Sequence, residues 1–155
     1  MTQPPDQPGP PALPDLPVTF RPTRTRVVLI GVGVAACAVI SVIALVLDTL
    51  SAGERISFVF TGLLFLAVLL LLSRPHVTAA ADGVTVVNLT TSRCLSWAEI
   101  LKVNLRPGDP WVYLDLADGT ILPVMGIQPG VAKAQAVSDA RTLRALAEKY
   151  GTAER

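Results

Sequence analysis

Two long runs without a single charged side chain constrain this chain more than anything else in it. Residues 27–47 read VVLIGVGVAACAVISVIALVL and residues 56–72 read ISFVFTGLLFLAVLLLL, parted only by DTLSAGER. As helices rising about 1.5 Å per residue they reach roughly 32 and 26 Å, close to a hydrocarbon core about 30 Å thick. The pair predicts a transmembrane hairpin over 27–72. The first run is too long for the apolar core of a secretory signal peptide, and Leu50, Ser51 and Ala52 after it make a poor cleavage site.

The flanks predict the orientation. Arg21, Arg24 and Arg26 precede the first run and Arg74 follows the second, whereas Arg55 alone stands in the connecting loop, beside Asp48 and Glu54. Under the positive-inside bias this places both termini in the cytoplasm. Neither run holds an ionisable side chain at depth, which disfavours a pore, a proton relay or a coupled transporter.

Within the first run, Gly31-Val32-Gly33-Val34-Ala35-Ala36 imitates a dinucleotide-binding fingerprint, with Asp48 near the spacing of a ribose-binding acid. An uninterrupted apolar run followed by another does not supply the polar helix positions or the second βαβ unit that such a site needs. Gly31, Gly33, Ala35 and Gly62 read instead as small residues that let membrane helices approach closely.

Ahead of the hairpin, residues 1–17 contain seven prolines and few apolar side chains. Such a segment buries too little apolar surface to repay its ordering, so residues 1–26 are expected to form a disordered, proline-rich cytoplasmic tail. Its PxxP spacings, Pro8/Pro11, Pro11/Pro14 and Pro14/Pro17, follow from the density of proline, and the tail reads as a spacer.

Beyond Pro75 the hydrophobic period changes to two. Short strands are expected over 77–80, 84–89, 93–97, 100–106, 111–117 and 120–125, with turns at Asp82-Gly83, Thr90-Thr91-Ser92, Pro107-Gly108-Asp109-Pro110 and Asp118-Gly119. In the fourth strand Leu101, Val103 and Leu105 point one way, and Lys102, Asn104 and Arg106 the other. After Gly130 the period becomes helical, with Ala136, Val137, Ala140, Leu143, Leu146, Ala147 and Tyr150 on one face and Gly151 placed to end the helix. The expectation is a strongly bent antiparallel meander capped by this helix over 75–150, then a short tail over 151–155.

Asp82-Gly83-Val84-Thr85-Val86, Leu95-Ser96-Trp97-Ala98-Glu99-Ile100 and the stretch from Trp111 to Thr120 carry a resemblance. With the two-span hairpin in front, the chain resembles the bacterial pleckstrin-homology-like membrane proteins, and more narrowly the domain family named after low molecular weight protein antigen 6 of high-GC Gram-positive bacteria. That resemblance implies a membrane-anchored α+β protein, a small antiparallel PH-like β-barrel capped by a C-terminal helix, in the bacterial inner membrane. It implies no activity. An excess of arginine over lysine, ten to three, fits a GC-rich bacterial genome.

Function classes narrow by elimination. Net charge is +1, so nucleic acid is an unsuitable partner. Cys37 and Cys94 fall in different environments and predict no disulfide. His76 is the only histidine and has no evident nucleophile or ligand set, which predicts neither catalysis nor a metal, and no motif calls for a cofactor. Gly83 and Gly119 read as turn residues; Trp97 and Ile100 read as core at a corner. The first hairpin turn carries Asp82 and no base, which departs from phosphoinositide capture in this fold and leaves at most a weak contact of Lys102 and Arg106 with anionic lipid headgroups. Lys102, Asn104 and Arg106 share an outer side with Trp111 and Tyr113, residue types that interfaces favour. The expected role is a membrane-tethered interaction or scaffolding module, with the bilayer and either a protein partner or a second copy of the chain as its contacts.

Overall fold

The computed structural model describes residues 13–130 and 132–151. Two antiparallel helices, α1 (Thr23–Val46) and α2 (Ala52–Leu72), are both long and apolar enough to cross a membrane. Their loop is satisfied from within. Ser51 accepts the Glu54 N–H while the Glu54 carboxylate accepts the Ser51 N–H at 2.8 Å, a complete capping box. The Arg55 guanidinium donates to the carbonyls of Leu47 and Leu50 at 3.1 and 3.3 Å, closing the end of α1. Along the crossing, a Cβ on Gly33 would stand 3.0 Å from a Leu66 methyl and one on Gly62 would stand 3.5 Å from the Cys37 Cα. These two glycines form the seam. Gly31 and Ala35, expected to share it, are exposed instead, because they project from the opposite side of the same helix.

The tail expectation fails where it meets the hairpin. Residues 1–12, with Pro8 and Pro11, lie outside the described residues, but residues 13–26 contribute a strand and the first turn of a helix. Strand β1 (Val18–Phe20) pairs antiparallel with β2 (His76–Ala80), setting Val18 opposite Ala79 and Phe20 opposite Val77. Phe20 is 6% exposed within the core, and Leu13, Leu16 and Val18 pack against it. Apolar burial outweighs proline content here, so the expected domain over 75–150 gains a strand from before the two apolar helices.

After β2 the chain forms β3 (Gly83–Val87), β4 (Ser92–Leu95), β5 (Ile100–Asn104), β6 (Val112–Leu116), β7 (Ile121–Val124) and the helix α3 (Lys133–Gly151). Gly83 opens β3 where a Cβ would collide with the Leu95 carbonyl oxygen, and Gly119 takes φ +81° in the β6–β7 turn. The strands form two sheets, β1-β2-β3-β4 and β5-β6-β7, so the β-barrel expected is not closed. A turn of 3-10 helix at Trp97–Glu99 is the reason: capped by Ser96 and Glu99, it carries the chain out of one ladder before the next begins. One further strand prediction is corrected at β5. A bulge between Ile100 and Lys102 turns Leu101 outward, 55% exposed, while Val103 stays buried.

The core lies between the sheets and α3. Val77, Val84, Val86, Val103, Val112, Leu114, Val124, Ile127, Leu143 and Leu146 are all buried there. Trp97 is buried at the corner, donates from Nε1 to the Ala80 carbonyl at 3.0 Å and stacks on Tyr150 with ring centroids 5.5 Å apart. Ile100 is buried beside it. Asn88 then joins the two sheets. It is 7% exposed, donates from Nδ2 to the Pro123 carbonyl at 2.9 Å and accepts the Met125 N–H at 3.1 Å.

Substituting Asn88→Ala leaves the Pro123 carbonyl and the Met125 N–H, both on half-buried residues, without their partner together. The expected loss is about 2–4 kcal/mol, against about 0.5–1.5 kcal/mol for Asn104→Ala, whose single bond is to another side chain. Urea unfolding of the full chain in detergent, followed by tryptophan fluorescence, checks this; equal losses would remove the bridging role of Asn88.

Candidate functional site

Antiparallel register assembles the outer face of the second sheet in two rows. Lys102, Asp115 and Ile121 form one, and Asn104, Tyr113 and Pro123 the other. Asn104 donates from Nδ2 to Asp115 Oδ2 at 2.7 Å, tying the rows together. Trp111 stands at the start of β6 with its ring centroid 6.4 Å from that of Tyr113, the planes tilted by 54°. Its indole N–H is shielded from solvent and has no acceptor among the described residues. Ile121 is 65% exposed. The face therefore joins two half-covered aromatic rings and one bare aliphatic side chain around a fixed polar pair.

Arg106 does not join this face. It follows β5 in a loop closed by its own N–H on Asp109 Oδ2, at 2.9 Å, and lines a groove of about 430 Å³ between that loop and α3 with Lys133, Arg141 and Arg144. Lys102 extends over the β5 edge, where with Leu101 it borders a second groove of about 360 Å³ against α3. Arg144 separates the grooves by donating from Nη2 to the Val103 carbonyl at 2.7 Å, filling an acceptor on the free edge of β5. Sequence reasoning missed Asn88 and Arg144, because a polar residue beside a turn and a cation on a solvated helix face carry no signal of the distant carbonyls they reach. His76 sits at the base of the hairpin, with its ring Nδ1 2.9 Å from the Arg74 carbonyl. Among the described residues no group of three or more His, Cys, Asp or Glu is placed to hold a metal ion.

Residues 74–146 match the sequence model of a family described as a bacterial PH domain. Among curated proteins, the chain is similar to an uncharacterized protein of Mycobacterium tuberculosis and to one of Mycobacterium bovis. Each is 34% identical over 97 residues, which is 63% of this chain and 62% of the relative. The chain thus matches less than two thirds of the length of either relative. No solved structure matches it.

Two carboxyl groups at the domain surface depart from ordinary behaviour in opposite directions. Asp118 accepts from the Thr120 hydroxyl and backbone N–H and sits 3.3 Å from Arg93, and the Thr120 bonds above all hold its pKa below the usual carboxylate value. Asp139, half-buried on α3, is pushed up by desolvation, against a smaller opposing effect of its bond to Gln135. A raised carboxyl pKa means that ionisation favours the unfolded chain. Its penalty is absent below the ordinary value of 3.8 and grows as pH rises through the folded-state pKa. Asp139→Asn is therefore expected to melt higher than the parent at pH 7 and at the same temperature below pH 3.8, as thermal scans at the two pH values would record.

Proposed function

We propose that this chain is a membrane-tethered cytoplasmic interaction module that docks a partner protein and performs no chemistry of its own, a reading supported by the match of residues 74–146 to the bacterial PH domain model, a fold that holds protein or lipid partners. The observation that carries this reading is the outer face of β5-β6-β7. Outside the segment 27–72, Leu101 and Ile121 are the only exposed large aliphatic side chains among the described residues, and both belong to this sheet. Tyr113 and Trp111 lie beside Ile121's face as ready anchors, of the types that dominate binding energy at interfaces. A shielded indole N–H without an acceptor costs about 1–3 kcal/mol, and a partner carbonyl or carboxylate that reached Trp111 would relieve it.

The hairpin supplies the tether. Arg21, Arg24, Arg26 and Arg74 lie at its domain end. Arg55, the only basic residue at the other end, is occupied by the Leu47 and Leu50 carbonyls. That asymmetry supports a domain on the cytoplasmic side, in the inner membrane of a bacterial cell.

Photo-crosslinking from position 113, with a benzoyl-phenylalanine in place of Tyr113, is expected to yield a discrete protein adduct in intact cells. Trp111→Ala with Ile121→Asp should abolish it while the far-UV circular dichroism stays unchanged. Adducts to lipid alone, or none, would sink the docking face. Orientation has its own reporter, since Cys94 is exposed on β4. In a Cys37→Ala background, Cys94 is expected to resist a membrane-impermeant maleimide until the cells are lysed. Labelling before lysis would reverse the topology.

A further inference from the structure

At the foot of the hairpin, three separate stretches of chain turn cations into one concavity. Arg21 comes from the segment after β1, Arg26 from the first turn of α1, and Arg74 from the residues that follow α2; His76 opens β2 beside them. The cavity measures about 350 Å³, its floor is Ile30 and Leu70, and no Asp or Glu lines it. None of these arginine side chains has an ion-pair partner among the described residues, where the one salt bridge is Arg93 with Asp118. Like charges gathered without a counter-charge repel, and the arrangement is relieved when an anion occupies the space between them.

The start of α1 adds an independent pull in the same direction. It has Pro22 at the capping position, no side-chain cap and no acidic residue in its first turn. The Thr23 N–H is taken by the Arg21 carbonyl at 2.8 Å, and the N–H groups of Arg24 and Thr25, with the positive end of the helix dipole, are left to an outside acceptor. The contrast with α2 is instructive: there Ser51 and Glu54 satisfy the helix start from within the chain. One helix carries its own anion, and the other begins beside a cationic cavity.

From these observations we infer that the cavity binds the phosphate headgroup of one anionic phospholipid. The assignment rests on the proposed reading of α1 and α2 as membrane spans, which sets the choice of ligand. The charge-free runs begin at Val27 and end at Leu72, so Arg21, Arg26, Arg74 and His76 stand at headgroup depth. Basic pockets at the ends of membrane helices hold such headgroups. The floor decides between a lipid and a free phosphate ion. Ile30 and Leu70 lie on the hydrocarbon side of the cations, where a glycerol backbone and acyl chains would continue and an inorganic ion would leave apolar surface uncovered. Arginine forks on three sides of one phosphate also make the contact selective, since each can donate two parallel hydrogen bonds.

The test uses the full chain in detergent micelles, titrated with dioleoylphosphatidylglycerol or dioleoylphosphatidylcholine and read by native mass spectrometry. The parent is expected to retain one phosphatidylglycerol in preference to phosphatidylcholine. Arg21→Gln, Arg26→Gln and Arg74→Gln combined should weaken that retention at least tenfold, and Arg26→Gln alone, which leaves the domain untouched, about threefold. Arg24→Gln, on the same helix turn but outside the cavity, should change it less than twofold. Equal retention of the two lipids, or equal loss from Arg24→Gln and Arg26→Gln, overturns the site. Displacement of the lipid by millimolar inorganic phosphate overturns the lipid in favour of a free anion. Alkaline carbonate extraction of the parent from cell membranes is run alongside. A chain released by carbonate fails the membrane-span reading itself, whereas an integrated chain without lipid preference fails only this inference.

Discussion

The ladder between β1 and β2 closes the chain on itself at the point where the hairpin meets the domain. Phe20 lies opposite Val77, so the residue that leads toward α1 and the residue that leaves α2 are held as neighbours in one sheet. A tail joined to a domain only through α2 would let the domain pivot on Ser73 and Arg74. Two strands joined to two helices do not pivot in that way. The Gln135 side chain reinforces the joint by donating to the Arg21 carbonyl at 3.3 Å, and Gly126 packs so closely on His76 that a Cβ would lie 2.7 Å from its Cα. Strand, helix and loop from all parts of the domain thus converge on the same few residues at the foot of the hairpin.

From that joint the rest of the domain follows by layers. The first sheet offers Val77, Ala79, Val84 and Val86 as one apolar side, and the second offers Val103, Val112, Leu114 and Val124. Neither sheet is stable with such a face in water, and α3 covers what remains open between them. The 3-10 turn at Trp97–Glu99 breaks the ladder, so two polar devices do the joining that continuous strand pairing would have done. One is Asn88, whose two bonds reach Pro123 and Met125. The other is the corner itself, where the Glu99 carbonyl accepts the Ala117 N–H at 2.8 Å and Trp97 is clamped between Ala80 and Tyr150.

What was legible in the sequence is what depends on local pattern. A charge-free run announces a long apolar helix, alternation announces a half-buried strand, and a glycine after aspartate announces a turn. The register that brings Asn104 opposite Tyr113 follows from such alternation on both strands. Strand β1 escaped because three residues are too few to show a period and their partner stands beyond the hairpin. Leu101 was misread because a single inserted residue at the bulge reverses the facing of everything on one side of it. Gly31 and Ala35 were grouped with Gly33 because composition names small residues without naming the helix side they occupy. The cavity at the hairpin base was the least legible of all, since its arginines belong to three stretches of chain that only the β1–β2 ladder brings together.

The two-point joint also bears on how a docking face on this domain would work. A partner binding a freely pivoting domain must repay the entropy of stopping the pivot, whereas a face already held at one height and angle above the bilayer presents itself with that cost removed. Trp111, Tyr113 and Ile121 lie on the sheet whose β7 end is bonded through Asn88 to the sheet that carries the joint, so their position relative to α1 and α2 is set through hydrogen-bonded strands. A lipid phosphate seated among Arg21, Arg26 and Arg74 would tighten the same joint from below. The proposed lipid site and the proposed protein face therefore stand at the two ends of one hydrogen-bonded connection, through the β1–β2 ladder and Asn88.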